Sequence, residues 1–165
     1  MTDIFPNQEE CIMQRIEYES GNFLGAGESA TFNILKYLTN LKHQSLKEFP
    51  KNGIYKQVPL EWLIHEHDYN LLSDAHKKGS VDIVLVVNQT KIAIRVQGKG
   101  HGQGLKGIGK AKHDTVQANL LKKYCGLVDI HLRECPNIFK ERVTQIAIEE
   151  VKGSFKTANV LIPVI

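Results

Sequence analysis

Within the apolar run Val81–Val87 (VDIVLVV) stands a single charge, Asp82. A carboxylate in such surroundings is costly unless it is paired, lies at the end of its sheet, or meets a cation. A turn at Asn88, Gln89 and Thr90 leads into Lys91–Lys99 (KIAIRVQGK), which alternates. Ile92, Ile94 and Val96 share one strand face, while Ala93, Arg95, Gln97 and Lys99 share the other. Gln97 and Lys99 lie roughly 7 Å apart along the backbone. The hairpin thus gathers an anion, an amide oxygen and an ammonium at one sheet edge. One acid with neutral oxygen ligands suits Mg2+, or Mn2+ in its place, which takes few carboxylates and keeps several waters. Lys99 beside such a cation would orient or polarise an attacking water and stabilise charge on a phosphate.

Two more acids aim at the same place. On a helical wheel Asp114 shares a face with Ala118, Leu121 and Cys125, and Glu28 stands above Phe32 and Leu35 at the start of its own helix. Each alone also reads as a first-turn acid complementing a helix dipole. His101 and His113 flank a glycine-rich segment, and each singly also reads as an exposed loop histidine.

Positioning these residues needs a sheet with helices around it. Phe32, Leu35, Leu38 and Leu41 recur at three-residue steps, which predicts a helix from about Glu28 to Leu46. Asn7 and Glu10 resemble a capping box opening an earlier helix. Residues 50–79 carry Pro50, Gly53 and Pro59 and show no decisive period. After the hairpin, Lys110–Tyr124 reads as a helix, Leu127–Leu132 as a strand, Ile138–Val151 as a helix and Asn159–Ile165 as a last strand. That order predicts an α/β fold, a mixed central sheet with helices on both faces.

The 165 residues fit one domain, with no repeat or low-complexity linker to divide them. An apolar fraction of 42% with 24% charged residues excludes a disordered chain, a collagen-like repeat and a coiled-coil rod. No apolar run approaches the roughly 18 residues of a membrane span, so no membrane partner is expected. The beginning MTDIFPNQEE lacks an export signal, and three cysteines cannot close a disulfide framework, so a cytoplasmic location is expected. The net charge of +3 is unevenly spread: Lys99 to Lys123 holds six Lys against one Asp, or +5, leaving −2 elsewhere. Six of the thirteen glycines fall between Gly98 and Gly109 in the same stretch. Glycines interleaved with Lys106, Lys110, Lys112 and His113 suit a segment that approaches a phosphate backbone closely. A solvated mobile loop is the plainer reading.

Asp82 followed by Gln97-Gly98-Lys99 resembles the core of the PD-(D/E)XK nuclease superfamily, with Gln97 in the place of the usual second acid. Arg95-Val96-Gln97-Gly98, His101 and His113-Asp114, then a strand and a helix, look most like its very-short-patch repair endonucleases and the related phage homing endonucleases with an EDxHD motif. The resemblance covers roughly residues 25–150, with residues 50–79 as an insertion and the order of motifs carrying the weight. It implies a restriction-endonuclease-like three-layer α/β/α core in a single nuclease domain, residues 1–165. It also implies a Mg2+- or Mn2+-dependent DNA endonuclease of a phage or prokaryote, of homing or repair type. In that pattern Glu28 is the first-helix acid, Asp82 the metal-binding acid, His101 (or His113) the histidine and Asp114 the later acid. Asp82 and Gln97 would hold the metal. Either Lys99 or His101 would serve the water, a choice the sequence leaves open. Lys106, Lys110, Lys112 and His113 would hold the DNA backbone. A chain this small usually needs two copies to cut both strands, which allows a homodimer.

Two rival classes remain. Replacement of an acid by Gln97 fits a nucleic-acid-binding module that kept the fold and lost catalysis. Gly102-Gln103-Gly104-Leu105-Lys106-Gly107 matches GxGxxG between a strand and a helix, with Asp129 beyond, as in a small dinucleotide-binding oxidoreductase. Too little chain follows for a complete Rossmann half. His65-Glu66-His67-Asp68 with Asp74 and His76 reads as a polar face rather than a metal site. Cys125 reads as a core thiol rather than a zinc ligand with His131 and Cys135, and Trp62 and Tyr69 as packing residues.

Overall fold

The computed structural model of the chain describes residues 27–97, 115–131 and 140–163. The expected helix near Asn7 lies outside them. So do the glycine-lysine segment and its candidates Lys99, His101, Lys106, Lys110, Lys112, His113 and Asp114.

Helix α1 (Gly27–Thr39) carries Glu28 in its first turn, where a negative charge meets the positive end of the helix dipole. It buries Ala30, Phe32, Ile34 and Leu35. It stops seven residues before Leu46 because Asn40 adopts φ 57°, the left-handed conformation that closes helices. Thr39 secures this exit, its hydroxyl donating to Leu35 O (2.7 Å) and accepting from Leu41 N (3.2 Å). Leu41 still packs into the core, so the apolar period outruns the helix.

Strand β1 (Gly53–Pro59) arises in the segment without a decisive period. Residues 42–44 run along its start, with Gln44 N on Ile54 O and Ile54 N on Lys42 O. Gly53 permits that approach, since a Cβ there would stand 2.8 Å from Lys42 O. Short helices α2 (Glu66–Asn70) and α3 (Asp74–Lys77) follow. Strands β2 (Ser80–Val87) and β3 (Thr90–Gln97) form the expected hairpin. Asn88 and Gln89 have φ of 49° and 70°, the paired positive values of a two-residue turn matched to strand twist. Helix α4 spans residues 115–124, and strand β4 is Gly126–His131.

The described sheet has order β1-β2-β3-β4, antiparallel except for the parallel β3–β4 pair. The α/β class with a mixed sheet is therefore as expected, with one more strand at its edge. Both faces are covered. One core joins Ile54, Ile83, Leu85, Ile94 and Val128 to α1 and to helix α5 (Lys140–Ala158). The other joins Tyr55, Val84, Val86 and Ala93 to Leu121 of α4 and to Leu60 and Leu63.

Helix α5 outlasts the expected end at Val151, running on through Gly153, whose missing Cβ would meet nothing within 4 Å. It buries Ala147, Ile148, Val151 and Phe155, one stripe at helical spacing. It closes at Asn159 (φ 58°), with Val160 N on Phe155 O and Asn159 N on Lys156 O, the two reversed bonds of a Schellman cap. The last strand expected at Asn159–Ile165 does not form over the described residues 159–163. Val160 and Ile162 instead pack on the first core while Leu161 stays 90% exposed. The alternation reports anchoring of the chain end, without a ladder. No helix among the described residues is long and apolar enough to cross a membrane.

Candidate functional site

The β1–β2 register continues without an inserted residue, with Lys56 opposite Ile83 and Val58 opposite Val81. Gln57 therefore stands opposite Asp82, yet that pair is missing from the ladder. Gln57 has φ 51°. Both strands turn at this step: Tyr55 and Val58, three residues apart, serve the same core, as do Val84 and Val81. Residues three apart on a regular strand face opposite ways.

The turn redirects Asp82. Pairing of β2 with β3 runs from Val87–Thr90 to Ile83–Ile94 and ends there. The tight hairpin makes Val87–Thr90 a hydrogen-bonded pair, so the alternation would direct Val96 N–H at Val81. Instead Val96 N donates to Asp82 Oδ2 (2.9 Å). The carboxylate takes the place of a backbone acceptor where the two strands part. Its burial is intermediate, at the strand end rather than in dry hydrocarbon.

Glu28 reaches the same end of the sheet. Gln57 Nε2 donates to Glu28 Oε1 (2.6 Å), and Ser80 Oγ donates to Gln57 Oε1 (2.7 Å). Ser80 is two residues from Asp82 on β2. Among the described residues, Asp82 Oδ1 and Glu28 Oε2 accept no hydrogen bond. Each of these carboxylates has one oxygen anchored and one uncommitted, and a carboxylate oxygen of that kind is a ligand that hard divalent cations accept.

Gln97 ends β3 one residue beyond Val96, level with His131 at the end of β4. One step earlier, Arg95 Nε and Nη2 hold Asp129 Oδ1 and Oδ2 at 2.7 and 2.9 Å. Arg95 is only 7% exposed, so this forked pair clamps β3 and β4 just before the site. The structure thus brings Glu28, Asp82 and the Gln97 backbone to one end of the sheet. The remaining candidates lie outside the described residues. Among those described, no three His, Cys, Asp or Glu side chains group as a metal site.

Gln57 and Ser80 went unread in the sequence because β1 has no visible period and Gln57 carries no charge. In the sequence His131 reads only beside Cys125 and Cys135, and its position level with Gln97 depends on the parallel pairing. Elsewhere the polar-face reading matches the contacts. His65 Nδ1 caps α2 by accepting from His67 N (3.0 Å), and Asp68 accepts from the Tyr124 hydroxyl with Lys123 nearby. The Tyr124 hydrogen bond lowers the Asp68 pKa below the usual carboxylate value and raises that of Tyr124. Cys125 packs against the second core, and burial pushes its thiol up to about 11. Compared with protein-family models, curated proteins and solved structures, the chain matches none.

Proposed function

We propose that the protein is a Mg2+-dependent DNA endonuclease with a restriction-endonuclease-like core, acting in the cytoplasm of a phage-infected or other prokaryotic cell. The observation that carries this reading is the placing of Asp82 and Glu28 at one sheet end, where β2 and β3 separate. Asp82 is the metal-binding carboxylate, with Gln97 as the neutral oxygen ligand. Glu28 and Asp114 orient waters or a histidine around them. A bound divalent cation supplies an acidified water and neutralises charge on the phosphodiester. Lys99 or His101 assists the water, taking or directing its proton, or stabilises charge on the phosphate. Lys99 is tethered two residues beyond Gln97, which limits its distance along the chain to roughly 7 Å. Lys106, Lys110, Lys112 and His113 hold the DNA backbone. A homodimer would give one such site per strand.

The inactive binding module is the second reading, favoured by the replacement of an acid with Gln97. The oxidoreductase ranks below both. Only β3 and β4 are parallel among the described strands, and Asp129, the acid its fingerprint needs, is engaged by Arg95.

Plasmid cleavage in Mg2+ by wild type and Asp82→Ala separates these readings. The nuclease reading expects nicking or linearisation by wild type and at least a hundredfold loss in the variant. Equal rates in the two proteins contradict it, and salt-sensitive binding without cleavage in any divalent metal supports the inactive module.

A further inference from the structure

We propose that Gln57 is a positioning residue that holds Glu28 at the sheet end carrying Asp82, for a divalent cation the two carboxylates would share, an inference that rests on the nuclease reading. Three observations converge on it. Gln57 occupies the left-handed region (φ 51°), where residues other than glycine are uncommon and local strain tends to mark functional sites. It stands opposite Asp82 in a register that has no inserted residue, so the distortion is not a bulge. Its amide spans two elements, donating to Glu28 of α1 and accepting from Ser80 of β2.

The amide's orientation follows from its neighbours. A carboxylate only accepts, so the NH2 group must face Glu28, which leaves Oε1 for the Ser80 hydroxyl. Gln57 and Ser80 are both exposed, and hydrogen bonds there replace bonds to water with little net gain. Glycine would adopt the same backbone without strain. Fold stability therefore gives no reason for a glutamine at this position. Fixing a carboxylate that sits on a helix relative to one that sits on a strand does give a reason. Partners that orient metal-site ligands typically matter tenfold to a hundredfold in affinity or rate.

The test uses the full chain and variants Gln57→Gly and Gln57→Asn. Glycine relieves the backbone and removes the amide; asparagine tolerates the backbone but is one methylene too short to span Glu28 and Ser80. Mn2+ affinity is read from the free-ion resonance signal, alongside Tm and the kcat and KM for DNA cleavage. Both variants are expected to melt no lower than wild type, to bind Mn2+ about tenfold more weakly or worse, and to lose kcat with KM for DNA unchanged. Gln57→Gly is expected to add no further loss of Mn2+ affinity in a Glu28→Ala background, because the two act as one unit. Unchanged Mn2+ affinity with a lowered Tm would overturn the inference, as would an independent tenfold loss in that background. If wild type binds Mn2+ and Asp82→Ala does not, the metal site stands and the Gln57 variants are judged alone. If wild type binds no Mn2+, the metal-site reading and this inference fall together.

Discussion

Asp82 combines a structural and a chemical task in one side chain. Its Oδ2 accepts the Val96 N–H left without its ladder partner, while Oδ1 is uncommitted among the described residues. The two tasks separate by substitution. Asp82→Ala leaves a part-buried N–H unsatisfied and is expected to cost about 1–2 kcal/mol in urea unfolding. Asp82→Asn keeps an amide oxygen for Val96 and is expected to stay within about 0.5 kcal/mol of wild type. Both should abolish metal-dependent cleavage, because the anionic oxygen is gone. An Asp82→Asn protein that cleaves at the wild-type rate would remove Asp82 from the metal site.

The elements show which residues revealed themselves in sequence and which did not. The β2–β3 hairpin was legible because Val81–Val87 is apolar on both faces and Lys91–Gln97 alternates. Strand β1 was not. Gln57 inverts its facing midway, so Tyr55 and Val58 share a core at a spacing no regular strand gives. The turn at the residue that holds Glu28 is thus the same turn that hid the strand. Helix ends misled for other reasons: Leu41 prolongs the apolar period past Asn40, and Gly153 resembles a stop inside α5. Packing of α4 against the second core gives a prediction of its own. Cys125 follows that helix, and burial raises its thiol from 9.0 to about 11. The unfolded chain then releases this proton first, so the thiol's contribution is complete below pH 9 and is lost as pH rises toward 11. After allowance for partial exposure the loss is roughly 1–2 kcal/mol. Stability of Cys125→Ala measured against pH should lack that part of the wild-type decline between pH 9 and 11. Parallel curves would show that the thiol is solvated.

At the scale of the whole molecule, charge and topology meet at one end. Gln97 closes β3 at the end of the sheet that carries Asp82, with Glu28 held there through Gln57, and the chain leaves it directly into the stretch that holds +5. A basic segment anchored there would lay a phosphate backbone across the carboxylates. Binding to duplex DNA is therefore expected to weaken steeply with salt. Replacing Lys106, Lys110 and Lys112 by alanine should reduce the slope of log K against log salt by about 3, one phosphate for each lysine. An unchanged slope would move the DNA contact elsewhere.

The convergence of carboxylates on one cation is tested most directly by a crystal of the wild-type protein soaked in Mn2+, with the ion located by its anomalous scattering. The expected result is a peak within roughly 2.2 Å of Asp82 Oδ1, with the Gln97 side chain or waters completing the shell and Glu28 facing it. A peak coordinated by other residues, with Asp82 still holding only the Val96 amide, would contradict the assignment of this sheet end as a metal-dependent nuclease site.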